Sequence, residues 1–149
     1  MHFESIPTTP RASELIEKAF SRAARAGRSK QGLLAQQSML QTASSILTDH
    51  LEQVGRVWPD FDQMDPFYYE MADALVGVDE LRQQLAHTQW AAMQIGRLRR
   101  EYQPRVRRTE VATARRYRKQ AFARFADVVE PVGDDLRAIG AARDRLRAL

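Results

Sequence analysis

The chain has 149 residues, a formal net charge of +4 and no cysteine. That length suits a single domain able to bury roughly two-thirds of the surface its unfolded form exposes. The missing cysteines exclude disulfides and thiolate-bound metal.

The opening MHFESIPTTPRASEL lacks the basic stretch and apolar run of a secretory signal, and no window approaches the roughly eighteen apolar residues of a membrane span, so the expectation is a soluble, cytoplasmic protein. Apolar residues recur at a helical period almost from end to end, and no segment alternates as a half-buried strand does. The first helix is read from Thr9-Pro10, a hydroxyl cap followed by proline, through Ala12, Leu15, Ile16, Ala19, Phe20 and Ala23 to Gly27. A long second helix carries Leu33, Leu40, Ala43, Leu47, Leu51 and Val54 and fails at Trp58-Pro59. The acidic loop PDFDQM leads to Asp65-Pro66, again a cap and a first-position proline, with Met64 and Tyr69 placed as a hydrophobic staple. A short third helix runs to about Gly77.

Asp79 is read as the cap of a fourth helix with the stripe Leu81, Leu85, Thr88, Ala92 and Ile95, which then meets Arg99 where the next apolar residue belongs. The helix is therefore expected to project past the bundle, with Pro104 kinking or ending it and Thr109 capping its successor. Ala114, Ala121, Phe125, Val128, Val132, Leu136, Ile139 and Leu146 keep one phase across Pro131, which favours one long kinked helix over two joined by a loop. Short connections make neighbours antiparallel. The fold expected is all-α: an antiparallel bundle of three long and two shorter helices with a projecting basic hairpin.

Charge is segregated along the chain. Arg97 to Arg124 holds eleven basic residues against Glu101 and Glu110, whereas Asp49 to Glu80 holds nine acids against Arg56. Two readings stay open: the acidic segment neutralises the basic one inside the fold, or the basic stretch is a real positive surface of the kind that binds phosphate. On a helical wheel Arg108, Arg115, Arg116 and Lys119 share one face opposite Ala114, Ala121 and Phe125, with Arg118 nearer the apolar side, where its stem can lie on the core. The candidate RNA-binding residues are Arg97, Arg99, Arg100, Arg105, Arg107, Arg108, Arg115, Arg116 and Lys119, with Tyr102 either stacking on an unpaired base or packing inside. A second basic cluster, Arg22, Arg25, Arg28 and Lys30, surrounds the turn GRSKQG and joins the first if both lie at one end of the bundle. Of the 23 basic residues all but Lys18, Lys30 and Lys119 are arginine, a bias open between a GC-rich coding sequence and bidentate phosphate contacts.

Nothing in the chain argues for catalysis. His2, His50 and His87 are scattered, His50 reads as a packing residue, and the Glu-x-x-His signature of carboxylate-bridged metal bundles is missing. GRSKQG does not satisfy the G-x-x-x-x-G-K-[ST] pattern. Trp90 and Met93 fall opposite the apolar stripe of the fourth helix, as a second buried face or as a docking surface for a partner domain, together with Leu146 and Leu149 at the apolar C-terminal end.

Specific strings carry a resemblance. DPFYYEMADALVGVDELRQQLAHTQWAA, RRYRKQAFARFADVVE and the ending RDRLRAL resemble the N-terminal helical domain of the nucleolar GTP-binding protein family, Obg-related GTPases of large-subunit assembly. IPTTPRASELIEKAFSRA and ILTDHLEQVGRVWPDFDQMDPFY fit the same pattern, so the likeness covers nearly the whole chain. The resemblance implies a domain of the archaeal kind, followed after residue 149 by a P-loop GTPase domain to which GTP and magnesium belong. It implies contact with large-subunit ribosomal RNA, for which Arg115, Arg116, Arg118 and Lys119 match the family string. The other reading is a protein-interaction domain that docks on its own GTPase domain or on an assembly factor. This chain, without GTPase motifs, is expected neither to bind nor to hydrolyse GTP.

Overall fold

A computed structural model describes residues 3–149. His2 lies outside them. Six α-helices follow one another: α1 (Ala12–Arg28), α2 (Gly32–Arg56), α3 (Pro66–Val76), α4 (Val78–Arg107), α5 (Val111–Val129) and α6 (Gly133–Leu146). Among the described residues there is no strand. The expected all-α bundle is thus present, and α5 with α6 forms the third long rod. Pro131 lacks the N–H that an α-helix needs at that point, so the rod tightens into one 3-10 turn over Glu130–Val132. Glu130 (φ −55°, ψ −44°) and Gly133 (φ −58°, ψ −39°) keep right-handed helical geometry on either side.

Four rods make the bundle, each antiparallel to the next along the chain. Gly27 near the end of α1 lies against Met39 near the start of α2. Gln89 of α4 donates from Nε2 to the Glu52 carbonyl of α2 at 3.4 Å. Phe20 of α1 stacks on Phe122 of α5 at 4.5 Å between centroids, and Ala12 meets Gly133 further down the same rod. Between the rods sit Leu15, Leu40, Leu47, Leu51, Leu81, Ile95, Phe125, Leu136, Ile139 and Leu146, all essentially inaccessible. Fully burying each large aliphatic or aromatic side chain contributes about 1.5–3 kcal/mol, the main term holding the rods together.

Several local expectations give way. α1 starts at Ala12, not at Thr9-Pro10, and Arg11 supplies no side-chain cap. Residues 3–10 instead cross the far end of the bundle, with Phe3 and Ile6 buried and Arg143 donating from Nε to the Ile6 carbonyl at 2.9 Å. Asp65 does cap α3, accepting from the Phe67 N–H at 2.9 Å, and Met64 and Tyr69 both join the core. Asp79 does not cap α4. Gly77, at φ +74°, turns α3 directly into α4, and the Asp73 carboxylate accepts from the Val78 N–H at 2.9 Å. α5 begins after Glu110 with no side-chain cap, so Thr109 has no capping role either.

The basic hairpin does not project. The buried stripe of α4 passes Arg99 by taking a step of three, from Ile95 to Leu98, then Tyr102 and Val106, and Ala114 continues it on α5. Pro104 sits inside α4 and the helix runs on to Arg107, with the Arg108 N–H closing on the Pro104 carbonyl at 3.2 Å. The turn is therefore packed onto the bundle as its end.

Candidate nucleic-acid interface

Two turns share that end. The α1–α2 turn reaches Gly32, whose φ of +63° suits the missing side chain, and a Cβ placed there would stand 3.9 Å from Cγ2 of Val111 at the start of α5. The two basic clusters of the sequence accordingly meet: Arg22, Arg25, Arg28 and Lys30 flank one turn, Arg105, Arg107, Arg108, Arg115 and Arg116 the other, and all are exposed. Leu34 and Val111 lie exposed between them, which the periodicity did not reveal.

The charges are not neutralised from within. Glu101 is the one acid among the described residues that pairs with the 97–124 stretch, accepting from Arg105 at 3.3 Å and from Arg124 at 3.0 Å. Arg118 is held differently, donating from Nε to the buried Gln36 side chain at 3.0 Å with its guanidinium over Phe122 at 5.1 Å. Burial pushes its pKa below the usual arginine value, and the nearby Arg115 adds to the effect. Among the described residues Arg97, Arg100, Arg107, Arg108, Arg115, Arg116 and Lys119 stay exposed with no acidic partner. Like charges gathered this closely raise the local potential and draw polyanions toward it.

Among the described residues no acid of 49–80 forms an ion pair with the 97–124 stretch. Asp62 takes its hydrogen bond from Arg82 at 2.6 Å, which raises the Arg82 pKa, and Glu52 pairs with Arg56 along α2. Asp79 and Glu80 open α4 while Arg107 closes it, about 40 Å apart at 1.5 Å per residue. Glu52 comes near the basic stretch, lining a groove with Arg97, Arg99 and Arg100, but its ion pair is with Arg56.

Other candidates are redistributed. Tyr102 is only 3% exposed, with Arg105 and Arg124 over its ring and its hydroxyl accepting from Arg124 at 3.4 Å, so it is a packing residue and offers no face to a base. That hydroxyl, followed by Glu101, holds the Arg124 pKa above its ordinary value. Leu146 is fully buried and so presents no docking surface, while Leu149 is partly buried against the core. Trp90 (51% exposed) and Met93 (67%) face outward on α4 and make no second buried face. Arg99 is half-buried and lines a groove between α2 and α4, and its Nε has no hydrogen-bond partner among the described residues.

The two histidines within the described residues serve packing and bridging. His50 donates from Nδ1 to the Ile46 carbonyl at 2.8 Å, which leaves Nε2 to accept from the Lys18 ammonium at 2.9 Å. His87 meets Asp135 of α6 at 2.9 Å. Among the described residues no group of three or more His, Asp or Glu is placed to hold a metal ion, and no helix is long and apolar enough to cross a membrane.

An antiparallel helical bundle with unpaired arginines gathered at one end defines a class: a helical domain with one strongly cationic end. The chain belongs to the family of the NOG1 N-terminal helical domain, which matches it over residues 3–149. It is also similar to an uncharacterized protein of Methanocaldococcus jannaschii, 25% identical over 157 residues, covering 99% of this chain and 45% of that protein. The chain therefore spans a little under half the length of the curated relative it matches. The family matched is the one read from the DPFYYEMADALV and RRYRKQ strings.

Proposed function

We propose that this domain binds ribosomal RNA of the large subunit through its basic end, as the RNA-contacting part of a GTPase that acts in large-subunit biogenesis in the cytoplasm. The observation that carries the reading is the absence of internal neutralisation: seven exposed cations between Arg97 and Lys119 have no acidic partner, and the second basic turn adjoins them. Guanidinium groups match phosphate oxygens bidentately, and phosphate contacts position a protein on RNA without reading base edges. The chain contributes binding and no catalysis. GTP and magnesium belong to a GTPase domain of the parent protein, which is the domain's second partner.

The test is direct. Fluorescently labelled fragments of large-subunit ribosomal RNA should bind the chain at low salt and lose affinity steeply as salt rises. Binding that is absent, or indifferent to salt, would remove the reading. A competing function, docking on the GTPase domain or an assembly factor, draws on the exposed Trp90 and Met93. It predicts that Trp90 becomes protected when that domain is supplied.

A further inference from the structure

The outer face of α4 is one uninterrupted exposed stripe. Ala86, Trp90, Met93, Arg97, Arg100 and Arg107 follow at spacings of three, four or seven, and every one is open to solvent. Its first half is apolar and its second half is basic, and the basic half runs straight into the turn that forms the basic end. Arg97 and Arg100 have no acidic partner. Trp90 stands two helical turns, about 10 Å, before Arg97.

Beside the stripe lies a groove of about 470 Å³ between α2 and α4, walled by Thr48, Glu52, Met93, Arg97 and Arg100. Gly96 lines it as well, 3.5 Å from the Arg100 guanidinium at the place a Cβ would occupy. Arg99 lines the groove too, so three guanidinium groups, those of Arg97, Arg99 and Arg100, border one concavity. Like charges gathered around a cleft draw an anion into it. The one acid on the wall, Glu52, is already engaged by Arg56 at 3.4 Å.

Which polyanion suits both halves follows from size and chemistry. A stable protein interface buries about 800 Å² on each side, but the apolar half of this stripe has only two large side chains, bordered by Gln83, Gln89 and Gln94. A closed RNA duplex keeps its bases stacked inside and has nothing to lay on an exposed indole. An unpaired strand combines phosphates with free base faces, and single aromatics beside arginines are how such strands are held. Resting on the RNA reading above, we infer that an unpaired RNA strand leaves the basic end along the outer stripe of α4. Its phosphates sit in the groove beside Arg97, Arg99 and Arg100, and one base stacks on Trp90.

Trp58 is buried, so the two tryptophans separate cleanly and the difference between wild type and Trp90→Phe isolates the Trp90 signal. The 149-residue chain is titrated with a labelled single-stranded RNA oligonucleotide and with a hairpin-closed duplex of the same composition. Anisotropy reports binding and tryptophan emission reports stacking. The single strand should quench Trp90 and the duplex should not. Trp90→Ala should weaken single-strand binding roughly tenfold, Trp90→Phe much less, and duplex binding should be unchanged by either. Arg97→Gln with Arg100→Gln should flatten the salt dependence for the single strand by about 1.4 in log–log slope.

Single-strand binding with silent Trp90 emission and a neutral Trp90→Ala would overturn the path along α4 and leave the basic end as an RNA site. Equal quenching by the duplex would overturn the requirement for an unpaired strand. Trp90 protected only by an added protein domain would hand the stripe to protein docking. Flat anisotropy with every RNA would remove the reading of the basic end and this one with it.

Discussion

Replacing Arg108, Arg115, Arg116 and Lys119 by glutamine removes four of the seven exposed, unpaired cations between Arg97 and Lys119 and spares every group that serves packing. None of the four is ion-paired or buried, so the melting temperature should stay within the range of ordinary surface changes, about 0.5 kcal/mol per site. The effect on RNA should be large. Each phosphate contact contributes about −0.7 to −0.9 to the slope of log affinity against log salt, so seven contacts give about −5 to −6 and the remaining three about −2 to −3. Between about 50 and 200 mM salt the wild type should lose about a thousandfold or more in affinity, the variant about twenty- to fortyfold. The assay is anisotropy of a labelled large-subunit RNA fragment at several salt concentrations, with circular dichroism melts on both proteins. Parallel slopes with intact folding would refute the assignment of this face, because loss of four contacts cannot leave the number of released counterions unchanged.

Three further substitutions test the parts around that face. Arg118→Ala should destabilise the fold by about 1–3 kcal/mol, because the buried Gln36 side chain loses the donor at 3.0 Å, whereas Arg115→Ala should not; urea denaturation of the pair distinguishes them. Tyr102→Phe should cost about 1 kcal/mol through the lost bond from Arg124 and leave RNA affinity within twofold; a collapse of RNA binding at full stability would return Tyr102 to the contact surface. Gly77→Ala should cost about 1–2 kcal/mol, since a side chain must take φ +74° at the α3–α4 junction; an unchanged melting temperature would mean that this turn relaxes freely.

The elements themselves were legible in the sequence because helical periodicity, Asp65-Pro66 and the breaks at Trp58-Pro59 and Gly77 are local signals that the tertiary structure did not override. The family, too, was readable from strings such as DPFYY and RRYRKQ. Position within an element was less so. The α4 stripe was extended to Arg99 by keeping a strict spacing, but an α-helix drifts against any fixed repeat, and one step of three carries the core to Leu98, Tyr102 and Val106 and brings the expected projection back into the bundle. A suitable side chain near a helix start says nothing about where the chain is pulled: at Thr9 the distant Arg143 holds the preceding segment, and at Asp79 the role falls to Asp73, on the other side of the α3–α4 junction.

The sequence by itself determined that charge is segregated, since eleven cations and nine acids fall in separate runs. Whether those runs face each other depends on which ends of the rods coincide, and pairwise distance is a property of the fold. The bundle puts Gly32 beside Val111 and leaves Asp79 and Glu80 at the other end of a thirty-residue helix, so the two basic turns join while those two acids stay beyond the screening length of about 8–10 Å from the turn. Only the tertiary structure made the basic stretch a surface.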